Sequence, residues 1–232
     1  MPIINLVYEW HYEWKPWANT LAYRKFNNNL NDETWNMVAS WSNISYWTIG
    51  NNSYVENTST GYNPVITVTW DWLSKIWSWD FCVSMWQYIP SNVSNNQAYI
   101  FWEWYDWASP RPWITIRFRW DQSKFSVDIA NSVLTYSSVV TKWAWYNVIV
   151  TRTSWIVNMY INGVNDATPL TASQDFSSWS GHVFYLMGRL WWSEWTMPVT
   201  WFKTSELIYE KQSRTSDKVL SYYNSTKSNY WL

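Results

Sequence analysis

Glycine is nearly missing from this chain: five residues in 232. Average usage of roughly 7% would supply about 16, and a fold with many turns asks for more. Cysteine is nearly missing too. The lone Cys82 excludes an intrachain disulfide and any cysteine-based zinc site. The two histidines, His11 and His182, lie far apart with no cysteine partner and no recognisable triad pattern. Charge of either sign is sparse, with 14% charged residues, a net charge of −1 and a pI near 6.1. No basic excess favours nucleic acid or an anionic membrane surface. No apolar run reaches the ~20 residues of a membrane-spanning helix, so membrane insertion is not expected. The opening Met-Pro-Ile-Ile-Asn-Leu-Val-Tyr-Glu has neither the basic nor the long apolar region of a secretory leader.

In place of glycine there is tryptophan, 25 residues of it. Many stand in turn contexts: Thr34-Trp35-Asn36, Trp70-Asp71-Trp72, Trp77-Ser78-Trp79-Asp80, Asp106-Trp107-Ala108, Ser178-Trp179-Ser180 and Trp191-Trp192-Ser193. Turns favour Gly, Asn, Asp and Ser for steric reasons that an indole does not meet. The triplet UGA is a stop in the standard code, tryptophan in some variant codes and glycine in others. A gene that uses UGA for glycine, translated as if UGA meant tryptophan, gives this pattern. The competing reading is a truly tryptophan-rich binding protein, whose indoles should favour strand faces over turns. Trp86 and Trp145 lie inside β-favouring runs and read as true tryptophan.

The clearest secondary-structure signal is Trp143–Val164. Val148 and Val150 share one strand face, and Val157, Met159 and Ile161 share a face of the next. This is the period of half-buried strands. A tight turn at Thr153-Ser154-Trp155 joins them, and Asn162-Gly163 makes a second turn. Further strands are expected at 21–26, Ile44–Tyr46, Val65–Thr69, Phe81–Ile89, Ala98–Phe101, Ile114–Arg119, Lys124–Ala130, His182–Met187 and Phe202–Glu210. Ile114, Ile116 and Phe118 face opposite to Arg117 and Arg119. Strands at this spacing without intervening helices indicate an antiparallel β-sandwich or barrel. Ser216 reads as the N-cap of one short helix over 216–224, with Val219, Leu220 and Tyr223 as its apolar stripe. Residues 1–19 read as an arm or attachment segment, and 20–232 as one domain.

Trp145-Tyr146-Asn147-Val148-Ile149-Val150-Thr151-Arg152, followed by Tyr160-Ile161-Asn162-Gly163-Val164, resembles the laminin G-like jelly roll of the concanavalin A-like lectin/glucanase superfamily. Phe26–Asn36 looks like that family's opening loop, with Trp35 at a glycine position. Phe81–Ile89, Leu186-Met187-Gly188-Arg189 and Glu206–Asn224 follow its later motifs in order. The final strand departs from the family pattern at Ser205-Glu206, where an Asp-Glu pair is usual. The likeness spans about residues 20–230. It implies an all-β jelly-roll sandwich with one short C-terminal helix.

The superfamily also contains glycanases, which need two carboxylates flanking a sugar bond. Glu103 and Asp106 come nearest, but their spacing of three puts them on opposite faces of a strand, so no catalysis is expected. The resemblance implies calcium held by loop aspartates, hard oxygen donors for a hard cation. Asp71, between Trp70 and Trp72, is the first candidate, with Asp80, Asp106 and Asp121 behind it; each also reads as an ordinary solvated turn residue. Tyr105, Asp106, Arg117 and Arg119 are the candidate ligand contacts, with aromatic rings to stack sugars and polar groups to bind hydroxyls. The expectation is a non-catalytic recognition or adhesion module for a glycan or cell-surface protein. The alternative is a structural component of a virion, such as a bacteriophage tail or capsid-surface protein, contacting other virion proteins. Either role places the chain outside the cell or on a virion surface.

Overall fold

The computed structural model describes residues 20–24, 38–41, 44–49, 52–58, 66–69, 80–91, 98–104, 114–119, 121–129, 133–173, 183–186 and 202–230. Residues 1–19 lie outside these. In chain order the strands are β1 (Thr20–Arg24), β2 (Val38–Trp41), β3 (Ile44–Ile49), β4 (Asn52–Asn57), β5 (Ile66–Thr69), β6 (Phe81–Ile89), β7 (Ala98–Trp104) and β8 (Ile114–Arg119). They continue with β9 (Lys124–Ile129), β10 (Val133–Tyr136), β11 (Ala144–Thr153), β12 (Ile156–Ile161), β13 (Val164–Asn165), β14 (Leu170–Thr171), β15 (Val183–Leu186) and β16 (Lys203–Glu210). One α-helix, α1 (Ser216–Thr226), and a 3-10 turn, Lys227–Tyr230, follow.

The strands form two antiparallel sheets. The first runs β13-β12-β11-β6-β16-β4-β3, with β1 beside β16 and β14 beside β12. The second runs β10-β9-β8-β7-β15-β5-β2. Alternation decides which residues meet between them. Phe81, Val83 and Met85 of β6, Val148 and Val150 of β11, and Val157, Met159 and Ile161 of β12 supply one wall. Ile114, Ile116 and Phe118 of β8 with Phe125, Val127 and Ile129 of β9 supply the other, all in one buried cluster. Each fully buried side chain of this kind contributes roughly 1.5–3 kcal/mol. The chain is therefore an all-β sandwich, as its residue pattern implied.

Several strands are invisible in the sequence pattern. Asn52-Ser53-Tyr54-Val55-Glu56-Asn57 reads as a polar linker, yet it pairs with β3 along its whole length and with Lys203 and Thr204 of β16. Its neighbours supply the pairing that its own composition does not favour.

The outer face of the first sheet carries the helix. Val219 and Tyr222 pack on Cys82, Ile149, Tyr160 and Ile208. The apolar stripe differs by position from Val219, Leu220 and Tyr223: Tyr222 is buried, while Leu220 is exposed and Tyr223 half-buried. Ser216 is the first helical residue rather than the cap. Thr215 takes the cap position without a side-chain hydrogen bond, so the helix start is held by its docking. Tyr222 donates to Glu206 Oε2 at 2.8 Å, and Arg214 Nε donates to Glu210 Oε2 at 2.6 Å. Gly163 lets the helix come close: a Cβ there would lie 3.0 Å from Tyr223 Cβ.

Candidate functional site

The residues expected from sequence separate into three groups. Tyr105, Asp106 and Asp71 lie outside the described residues. Arg117 and Arg119 project from the same face of β8, and each meets an acid. Arg117 Nη2 donates to Asp128 Oδ2 on β9 at 2.8 Å. The Arg119 fork donates to Asp121 at 3.1 and 2.9 Å, and its hydrogen bond holds the Asp121 carboxyl below its ordinary range. The face is closed around Arg117, where Thr115 and Ser126 are also buried, and open to solvent at its Arg119–Asp121 end. Asp80 accepts the Ser154 N–H at 2.9 Å and so braces the turn between β11 and β12. Asp80 and Asp121 thus hold separate local contacts. Among the described residues there is no group of three or more His, Cys, Asp or Glu that could hold a metal.

A different group, formed by β4, β6, β11 and β16, gathers on the outer face of the first sheet beside the helix. The order β6-β16-β4 sets Tyr88, Lys203 and Glu56 side by side, because Lys203 pairs with Tyr88 on one flank and Glu56 on the other. The Lys203 ammonium lies 5.0 Å from the ring centres of both Tyr54 and Tyr88 and donates to the Tyr54 hydroxyl at 3.4 Å. Such cation–π placement is worth about 0.5–2 kcal/mol. Trp145 packs edge-on against Tyr54, with ring centres 5.5 Å apart, and tilted against Tyr88 at 5.6 Å. Burial raises the Glu56 carboxyl above its ordinary value, and the Lys203 charge opposes that shift. Burial likewise raises the Tyr88 phenol. Lys203 and Tyr88 are half-buried, so both keep solvent-facing surface. Tyr54 and Glu56 are buried beside them, so the arrangement brings aromatic rings, a donor-only cation and a carboxylate into one small area, the residue types that hold polar, ring-shaped ligands.

This group was not legible in the sequence beyond its individual aromatics. Its members come from strands far apart in the chain, and only the sheet order brings them together. The floor beside it is firmly built. Trp86 is fully buried and stacks on Tyr230 with ring centres 4.0 Å apart. The Tyr230 hydroxyl donates to Ser205 Oγ at 2.8 Å. Next to this floor, Cys82 is buried against the helix, and burial pushes its thiol far above the ordinary range. Its low thiolate character makes it inert.

No protein-family model and no curated protein sequence matches the chain. Solved structures do. Domain 4 of AbnA, a GH43 extracellular arabinanase from Geobacillus stearothermophilus in complex with arabinotriose, aligns with a TM-score of 0.66 at 17% identity, covering 88% of this chain and 97% of that one. The binding domain of Paraclostridial Mosquitocidal Protein 1 aligns at 0.67 and 10% identity, covering 89% of this chain. Trypanosoma rangeli sialidase aligns at 0.70 and 10% identity, covering 92%. The chain spans 52% of the toxin binding domain and 34% of the sialidase. At these identities the likeness establishes the β-sandwich fold.

Proposed function

We propose that this chain is a non-catalytic recognition module of laminin G-like type that binds a glycan, either free or displayed on a cell surface. The observation that carries the reading is the Tyr54–Tyr88–Lys203–Glu56 group, which joins aromatic rings to a donor and an acceptor; Tyr88 and Lys203 keep solvent-facing surface, and Tyr54 and Glu56 are buried beside them. The fold neighbours support it in general terms, since two carry names or bound ligands of binding domains. Arg117 and Arg119 fit the role less well because Asp128 and Asp121 already engage their guanidinium groups. The same reading takes most of the excess tryptophans out of the recognition surface as glycine. The four residues of the group include no tryptophan, so the site does not depend on that question. Calcium at Asp71 or Asp106 belongs to the same proposal, as a brace for neighbouring loops.

A glycan array tests the proposal, using the intact chain beside Lys203→Ala and Tyr88→Ala. The expected result is binding that falls at least tenfold in both variants while each keeps one cooperative unfolding transition, with a melting temperature a few degrees below the parent's from the lost ring contacts. Binding that survives both substitutions, or that is lost only in an Arg117→Ala variant, contradicts the assignment. Absence of any glycan binding, with the protein recovered in purified virus particles, replaces it with the structural virion role.

A further inference from the structure

Strand β12 is bounded by two tight turns of the same kind. Ile161 pairs with Val164 around Asn162–Gly163, and Thr153 pairs with Ile156 around Ser154–Trp155. Each is a two-residue hairpin loop with both central residues at positive φ: 52° and 80° in the first, 47° and 75° in the second. Loops of this type strongly prefer Asn-Gly or Asp-Gly, because the second residue takes a left-handed conformation that a Cβ opposes. Trp155 therefore occupies the position that Gly163 occupies one strand-length away.

Trp143 repeats the pattern at a different kind of site. Its φ is 64°, and its N–H donates to the Ile89 carbonyl at 2.7 Å just before Ala144 pairs with Ile89. Two successive residues meet one partner, the arrangement of a bulge whose first residue is a left-handed glycine. A bulky residue at positive φ is a genuine outlier, unlike the Ser, Asn and short polar residues that tolerate it. Trp143 is 69% exposed. The Trp155 ring is half-exposed, with the Arg152 guanidinium 4.8 Å from its centre.

Trp86 and Trp145 are opposite in every respect. Both lie in regular strand backbone and are buried. Each is packed against two or more aromatic rings. We infer that residues 143 and 155 are glycine in the protein as its own organism makes it, encoded by a UGA triplet read there as glycine, and that residues 86 and 145 are true tryptophan. The assignment rests on backbone conformation and packing at individual positions. It is independent of the glycan reading, and it predicts which codon each position carries.

The gene sequence and one pair of variants test it. UGA is expected at 143 and 155, with UGG at 86 and 145. In the tryptophan-bearing chain, Trp155→Gly and Trp143→Gly are each expected to raise the melting temperature by about 2–4 °C, the shift that relieving one left-handed side chain gives in a domain of this size. UGG at 143 or 155 overturns the inference, and so does UGA at all four positions. A lower melting temperature in either variant also overturns it, since the Arg152 contact or the exposed indole would then be doing more for the fold than the backbone loses.

Discussion

The two turns that bound β12 share one backbone and differ in what surrounds them. At Asn162–Gly163 every feature agrees with the conformation. The Asn162 side chain accepts the Asn147 N–H at 2.9 Å, its own N–H donates to the Asn147 carbonyl, and the bare Gly163 lets Tyr223 and Leu220 of the helix settle against it. At Ser154–Trp155 the backbone is equally well held, with the Ser154 N–H on Asp80, but the side chain opposes the conformation. Local residue preference and global fold normally agree, and a conflict between them marks either a functional site or a wrong residue. Trp155 has a cation–aromatic contact of its own, with the Arg152 guanidinium 4.8 Å from its ring centre, but its backbone is that of Gly163, and that match is the ground of the inference that residue 155 is glycine in the natural protein.

The comparison can be broken or sharpened by substitution. Trp86→Gly has the largest expected effect, because it empties a fully buried site stacked on Tyr230. A loss of about 3–5 kcal/mol is expected, read by chemical denaturation. A neutral outcome would remove the contrast between the two kinds of tryptophan. Gly163→Ala should cost about 2 kcal/mol, combining a Cβ at positive φ with one pressed 3.0 Å from Tyr223. It should also loosen the helix, read as faster amide exchange over 216–226. Trp155→Gly should stabilise by about 1 kcal/mol, so the two turns respond with opposite sign.

The smallest effect belongs to a third turn, between β8 and β9, where Ser123 alone has positive φ among Asp121–Ser123. Here Arg119 holds the Asp121 carboxyl below its ordinary value of 3.8. A depressed acid contributes stability above that value and loses it as pH falls through and below it. Asp121→Asn should remove this acid-range dependence. The size is under about 1 kcal/mol because the pair is solvent-screened, and it should shrink further in high salt. An unchanged acid limb of the stability curve would show that the pair contributes nothing.

The sandwich was legible where alternation was strong. Phe81–Ile89, Ile114–Arg119 and Ile156–Ile161 are strands over those bounds, because a half-buried strand writes its burial into every second residue. It was illegible at β4, whose polar residues pair on both flanks through long-range contacts. The helix was legible as an element but not in its detail: docking onto Cys82 and Ile208 buries Tyr222, which the apolar pattern alone passes over. The Lys203 group could not be read at all as a group, since register across β6, β16 and β4 creates it. The tension between turn and side chain at 155 was legible from turn chemistry alone, and the φ of 75° at Trp155 states it in degrees.

The most direct test of the central claim is the mass of the proteolytic peptide containing Ser154–Ile161, taken from protein isolated from its natural source. A mass with glycine at 155 is the result expected from the shared geometry of the two turns. A mass with tryptophan at 155 would contradict it, and would make Trp155 a residue that the fold keeps against its own backbone preference.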